Sequence, residues 1–263
     1  MTALHSATPS FLQHLRRMTI GLAAPLLLAA TPQLASAQLV AEKAGLGAAL
    51  LVRTDHYRGI SNDTDLLPVL SYENDKFRLF HNEASYNVLQ RDTFDVNLKG
   101  QYRLAGYDSA DSDFLEGMGK RRGALEFGVE ATSAQWFGNL SAEFMTDITS
   151  RHKGYEIKFE YGYPLQIAYG LLTPRLSLAF QSSRLTNYYW GVTRSEIRAD
   201  RPEYNPGNSV NLAVGLRYEN TFARQHTIFA DAEFQRMGNA IEDSPIRSSS
   251  DPITLTVGYL FTF

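Results

Sequence analysis

The sequence predicts an all-β fold, a closed antiparallel up-and-down transmembrane β-barrel of about 12 strands. Three observations carry this reading. From residue 45 onward apolar and polar side chains alternate with a period of two, the spacing of a strand with two unlike faces. Long and short connections alternate, as they do when strands run up and down a barrel with long outer loops and short inner turns. The last eleven residues, "ITLTVGYLFTF" (253–263), form a two-faced strand that ends on phenylalanine.

Residues 1–37 read as a cleavable signal peptide. Arg16 and Arg17 supply the positive region, 18–30 the apolar run, and Ala35-Ser36-Ala37 the small-residue cleavage site. A spanning helix needs ~20 apolar residues; this run is shorter and holds Pro25. The mature chain then starts at Gln38, and 38–263 is the barrel.

The strands follow in order at 45–53, 66–72, 76–81, 84–90, 94–104, 123–133, 139–147, 155–163, 173–183, 209–219, 226–236 and 253–263. The clearest is 94–104, with Phe94, Val96, Leu98, Gly100, Tyr102 and Leu104 opposite Asp95, Asn97, Lys99, Gln101 and Arg103. Segment 155–163 sets Tyr155, Ile157, Phe159, Tyr161 and Tyr163 against Glu156, Lys158 and Glu160. Every long connection (54–65, 105–122, 184–208 and 237–252) falls at one end of the array. Tight ones such as 73–75 and 91–93 fall at the other.

Alternation also suits a soluble sandwich. Three features favour a barrel in lipid. Tyr102, Tyr161, Tyr163, Tyr218, Tyr259 and Phe261 gather at strand ends, where interfacial girdles lie. Lys, Arg, Glu and Asp stand in mid-strand on the polar faces, which suits a wet lumen better than a dry core. A sheet in lipid must close, because a free edge leaves backbone groups unmet. The closing strand, with Tyr259, Phe261 and Phe263 on one face, resembles the carboxy-terminal signature of bacterial outer-membrane barrels. That resemblance implies a signal read by the barrel assembly machinery, and outer-membrane lipid as surroundings.

Composition excludes other classes. The chain carries a net charge of −3 and no basic footprint for nucleic acid. It has no cysteine, hence no disulfide or Cys-based metal site. The mature histidines His56, His81, His152 and His226 are scattered, and no cofactor motif is present. Asp108, Asp111, Asp113 and Glu116, followed by Lys120, Arg121 and Arg122, read as a loop whose charges neutralise one another. Tyr188, Tyr189 and Trp190 lie in the longest connection, either as a plug in the barrel mouth or as part of the girdle. Gly191 permits a backbone turn or a close approach. In 242–246, Asp243 accepts backbone hydrogen bonds and Pro245 fixes φ, which makes a turn.

Four segments together resemble the MipA/OmpV family. Residues 55–80 hold a tyrosine-containing loop followed by an apolar-Pro-apolar strand. Residues 145–165 hold an Asp-bearing strand end and then Gly154-Tyr155. Residues 187–209 contain Tyr188-Tyr189-Trp190-Gly191-Val192, and 242–246 contain Asp243-Ser244-Pro245. The resemblance implies a non-catalytic outer-membrane scaffold of the cell envelope. Such a protein binds a lytic transglycosylase and a bifunctional penicillin-binding protein, linking peptidoglycan cutting to synthesis. The contact surface is then the short-turn end, around Asn74, Asp92 and Gly138, with segment 38–44. The alternatives are a passive pore, its ion preference set by Lys99, Arg103, Lys158, Glu160 and Arg217, or an adhesin-like surface protein. A barrel enzyme would have to be built on His56, His152 and Asp147.

Overall fold

The computed structural model describes residues 42–54, 56–60 and 63–263. The segment read as a signal peptide, and residues 38–41, lie outside the described residues. The wall begins with β1 (Lys43–Arg53), β2 (Asp63–Glu73), β3 (Phe77–Phe80) and β4 (Glu83–Gln90). It continues through β5 (Phe94–Arg103), β6 (Ala124–Gln135), β7 (Gly138–Asp147) and β8 (Tyr155–Gly162). After a short flap, β9 (Leu165–Ile167), come β10 (Gly170–Gln181), β11 (Ser209–Phe222), β12 (His226–Arg236) and β13 (Ile253–Thr262).

Twelve of these close a ring of antiparallel neighbours, and β9 pairs only with the first residues of β10. The ring shuts where β13 pairs with β1, Gly45 opposite Thr262 through Arg53 opposite Thr254. Phe263 donates its N–H to Ala44 O, just past that ladder. Closure leaves the terminal strand no free edge, which answers the demand that lipid places on backbone groups.

The expected strand count holds; several bounds move. β2 covers 63–73 rather than 66–72, because its ladder with β1 runs on to Asp63 and overrides the polar Asp-Thr-Asp composition. β3 stops at Phe80, and β10 ends at Gln181 where a helix begins. That helix, α1 (Ser183–Trp190), lies in the longest connection. Its signal was there in Leu185, Tyr188 and Tyr189, spaced i, i+3, i+4. A second short helix, α2 (Asn239–Glu242), opens the last long loop. The turn between β11 and β12 puts Ala223 and Arg224 at φ 47° and 64°, the left-handed pair that a tight hairpin matching the sheet twist requires.

The faces fall as the alternation predicts. Outward stand Phe94, Leu125, Phe159, Leu176, Val214 and Val257, all exposed. Inward stand Asn97, Lys99, Glu126, Glu130, Glu143 and Glu160, all buried. One part of the lumen departs from the expected wet interior. Near β1, β2, β3, β12 and β13 the inward residues Ala49, Val69, Phe80, Phe229 and Leu260 pack into a dry cluster. Gly258 makes room for it: a Cβ there would lie 2.1 Å from the Phe229 ring.

Candidate functional site

The charged flanks of the strands meet across the lumen and pair. Lys99 Nζ lies 2.5 Å from Glu143 and 3.2 Å from Glu83. Arg103 donates to Glu126 at 2.8 Å and approaches Glu156 at 3.4 Å. One Arg175 nitrogen donates to both oxygens of Asp231, at 2.8 and 2.7 Å. Lys158 pairs with Glu160 at 3.3 Å and Arg217 with Glu219 at 3.2 Å. The five residues expected to tune ion preference are thus all held in ion pairs. Buried charges survive only when paired and hydrogen-bonded; the Lys99, Arg103 and Arg175 pairs cross between strands, while Lys158–Glu160 and Arg217–Glu219 lie within one strand each.

The grouping His56, His152 and Asp147 has a structural explanation. Asp147 accepts hydrogen bonds from Thr149 N, His152 N and Lys153 N at 2.7, 2.8 and 2.9 Å, so it shapes the turn after β7. His152 Nδ1 accepts from Gly154 N at 3.1 Å, so Nε2 carries the proton and donates to Glu126 at 3.0 Å. Both ring nitrogens are used, and the side chain is fully buried. His56 belongs to a different loop, beside the cavity described below.

The long loops fold over the mouth of the barrel into a core of their own. Tyr57, Leu115, Leu185, Trp190, Ile241 and Ile246 are buried together there. Tyr57 stacks on Trp190 with ring centroids 4.7 Å apart. Of the two readings for Tyr188, Tyr189 and Trp190, the structure takes the plug. Tyr188 Oη accepts from Arg122 N at 2.9 Å, and Tyr189 O–H donates to Arg122 O at 3.2 Å. Gly154 lets α1 sit against β8, since a Cβ there would be 2.6 Å from Leu185 N. Tyr155 N donates to Ser182 Oγ at 2.8 Å while its side chain faces outward. A Cβ at Gly191 would meet Asn187 Oδ1 at 2.2 Å, the close approach expected there. In the 242–246 turn, the fastening bond comes from Ser244, whose Oγ donates to Trp190 O at 2.6 Å. The Asp243 main-chain N–H, rather than its carboxylate, closes the end of α2 by donating to Asn239 O.

Two arginines latch this cap. Arg121 Nη2 donates to both oxygens of Glu196, at 2.9 and 3.1 Å. Arg201 is 1% exposed and, among the described residues, has no carboxylate at hydrogen-bond distance. It donates to the carbonyls of Glu196 and Glu116 at 2.9 and 3.0 Å, and to that of Phe114. No local pattern marks it, because two of its three partners, Phe114 and Glu116, lie in another loop. The acidic stretch behaves as expected only in part: Lys120 pairs with Asp108 at 2.5 Å, but Arg121 reaches across to Glu196.

Glu196 gives the cap a pH dependence. Burial alone would raise its pKa, but hydrogen bonds from Gly119 N, Thr193 N and Thr193 Oγ, with Arg121 beside it, outweigh burial and hold it below the ordinary carboxylate range. A lowered folded-state pKa contributes stability above the unfolded value of about 4.3, and that stability is lost as pH falls through the folded value. Amide exchange at Gly119 and Thr193 should therefore accelerate below pH ~4 in the native protein and much less in Glu196→Gln. Identical pH profiles would show that the carboxylate does not hold the cap.

Beneath the cap lies a cavity of about 780 Å³, lined among others by Arg53, Lys99, Glu143, Glu156, Tyr189 and Trp190. Tyr259, Phe261 and Phe263 lie at the opposite end, where Tyr259 Oη meets His226 Nδ1 at 2.6 Å. Phe261 stacks edge-on to Phe263 at 5.5 Å. The short turns there carry two protruding aromatics that the alternation did not mark, Trp136 at 91% and Tyr169 at 80% exposure.

The family profile described as MltA-interacting protein MipA matches residues 46–263. Outer membrane protein Omp26La of Vibrio anguillarum is 29% identical over 157 residues, covering 59% of this chain and 61% of that protein. Outer membrane protein OmpV of Vibrio cholerae matches to the same extent, so the alignment spans about 61% of the length of these relatives. The MltA-interacting protein of Escherichia coli K12 is 22% identical over 224 residues, covering 84% of this chain and 90% of that one. Among solved structures, the NanC porin aligns with a TM-score of 0.42 at 12% identity, covering 82% of this chain and 98% of that one.

Proposed function

The chain belongs to the MltA-interacting protein MipA family, and from that premise we propose that it is a non-catalytic scaffold with its contact surface at the periplasmic rim. It is an outer-membrane β-barrel. By the rule that periplasmic turns are short, the loop cap faces outward and Trp136, Tyr169 and the Asn74 turn face the periplasm.

The observation that carries the proposal is the occupied lumen. Paired charges, a dry cluster and a folded cap leave the barrel little to do as a conduit. A passive pore needs a continuous aqueous path. What remains accessible is the rim, where Asn74 Oδ1 rigidifies its own turn by accepting from Lys76 N and Phe77 N at 3.0 and 2.8 Å. Gly138, at φ +133°, lets the neighbouring turn lie under the Tyr161 ring, with Trp136 projecting beside it. Large aromatics standing clear of the surface are typical interface anchors.

The partner class follows from the E. coli relative, which is named for its interaction with MltA. We read it for this chain as a lytic transglycosylase, joined on the scaffold by a bifunctional penicillin-binding protein. Purified, detergent-solubilised protein immobilised on a surface should retain a lytic transglycosylase from an envelope extract. Trp136→Ala with Tyr169→Ala should weaken retention at least tenfold, about 1.4 kcal/mol, without changing the fold. Retention of no peptidoglycan enzyme by the unmodified protein removes the scaffold reading.

A further inference from the structure

Part of β2 runs without a neighbour on one side. Its ladder with β3 stops at Ser71 opposite Phe80. Residues 63–70 continue along β1, about 25 Å of further strand. The β3–β4 hairpin turns at His81 and Asn82, β5 ends at Arg103, and among the described residues no ladder joins β2 to β5. The wall therefore has a gap, with the free edge of β2 on one side, Arg103 and Leu104 on the other, and below them the hairpin tip, where Asn82 meets both the N–H and the C=O of Tyr102 at 3.0 and 2.7 Å.

The residues at that edge suit a gap. His81 N donates to Leu70 O at 2.8 Å, so the even-numbered residues of β2 turn their backbone groups to this side. The next is Pro68, which has no N–H to leave unmet and is tolerated on edges for that reason. Its carbonyl is met by His81 Nδ1 at 2.9 Å, with His81 at φ 52°. A side chain thus stands in for the missing strand. Higher up, Arg53 bridges the two lips. It donates to Asp65 on β2 at 2.8 Å and to Leu104 O at 3.2 Å. The gap is consequently a bounded window.

The window reaches the cavity. Lys99 and Gln101 line that cavity from the lumen, and so do Tyr102 and Leu104, whose side chains are exposed on the outer face. The cavity thus extends to the β5 lip of the gap. The edge also stands in the apolar belt: Leu66 is 76% exposed and shares a row with Leu50 and Val257. Apolar lips on the membrane side therefore adjoin a polar chamber that the loops cover from above.

We propose that this window holds an amphiphile dissolved in the membrane, with its tail against Leu66, Leu70 and Leu104 and its head group in the chamber. The chamber wall there presents both signs, Arg53 and Lys99 against Glu83 and Glu143. A zwitterionic head matches both, whereas a head of one sign leaves half the wall opposed.

The absence of cysteine allows clean labelling. Gln101→Cys, beside the window, and Ser141→Cys, inward on β7 and away from the cavity, would each carry a bimane fluorophore in the full barrel. The vesicles would be of phosphatidylethanolamine doped with phosphatidylcholine bearing a nitroxide on its head group. Quenching at 101 is expected to exceed quenching at 141 several-fold. Equal quenching at both positions overturns the proposal, as does quenching at 101 by a water-soluble nitroxide alone. Gln101 also donates to Glu126, so a second measurement leaves the sequence intact. Phosphatidylethanolamine with a photoreactive head should crosslink to residues 82–103 of the unmodified protein. Adducts confined to outward side chains overturn the proposal, and so does a co-purifying polypeptide that blocks crosslinking, since a partner strand then closes the edge.

Discussion

Arg201→Ala is expected to release the loop cap while leaving the barrel folded. The guanidinium is buried, and each of its three nitrogens serves a carbonyl, on Glu196, Phe114 and Glu116. Alanine leaves those carbonyls facing a void, and hydrogen bonds to a charged donor contribute ~1.5–3 kcal/mol each, less than additively. A loss of about 3–5 kcal/mol, local to the cap, raises its open population by roughly two to four orders of magnitude. Loops 105–122 and 191–208 should then be cut rapidly by protease added outside, while strand content is unchanged. Trp190 should report the same event. With Trp136 replaced by Phe it is the sole tryptophan, and its emission should shift red as it leaves the Tyr57 stack. Native-like protease resistance together with unshifted emission would mean that the apolar cluster holds the cap without the arginine.

Lys99→Met attacks the other half of the design. Lys99 is the cation between Glu143 and Glu83, with Glu130 also in its field. Its removal leaves buried carboxylates without a counter-charge, and breaking a buried pair from one side costs about 3–5 kcal/mol. Urea unfolding in vesicles should show that loss. Adding Glu143→Gln should restore much of the stability, because the pair rather than either partner is at stake. If the double variant is no better than the single one, the lumen is wetter than its geometry indicates.

The fold was largely legible in the residues, and particular cases show why. In β5, Phe94 to Leu104 could be sorted into outward and inward sets before any partner strand was known, because the side of a strand on which a residue falls depends only on its parity. Loop lengths likewise separated the two ends of the barrel. The errors lie where pairing overrides composition: β2 extends through Asp63-Thr64-Asp65 because β1 holds it there. The site was legible only in part. Tyr188, Tyr189, Gly191 and Ser244 were singled out in the sequence and do converge in the cap, but Arg201, the buried latch, was not. Nor was the short β3–β4 hairpin recognised as a gap, although Pro68 sat in plain view as the one strand proline at its edge.

Alternation and spacing are local quantities, so the chain carries within each segment the choice between lipid and lumen, the number of crossings and the end at which the long loops gather. Closure of the mouth is of another kind. Arg201 and Phe114 are 87 positions apart, and Arg53 and Leu104 are 51. Which carbonyl a buried guanidinium finds, and which strand is left without a neighbour, depends on how tilted strands of unequal length meet after the ring has closed. No short-range pattern encodes that meeting, and it is there that the cap, the chamber and the window arise.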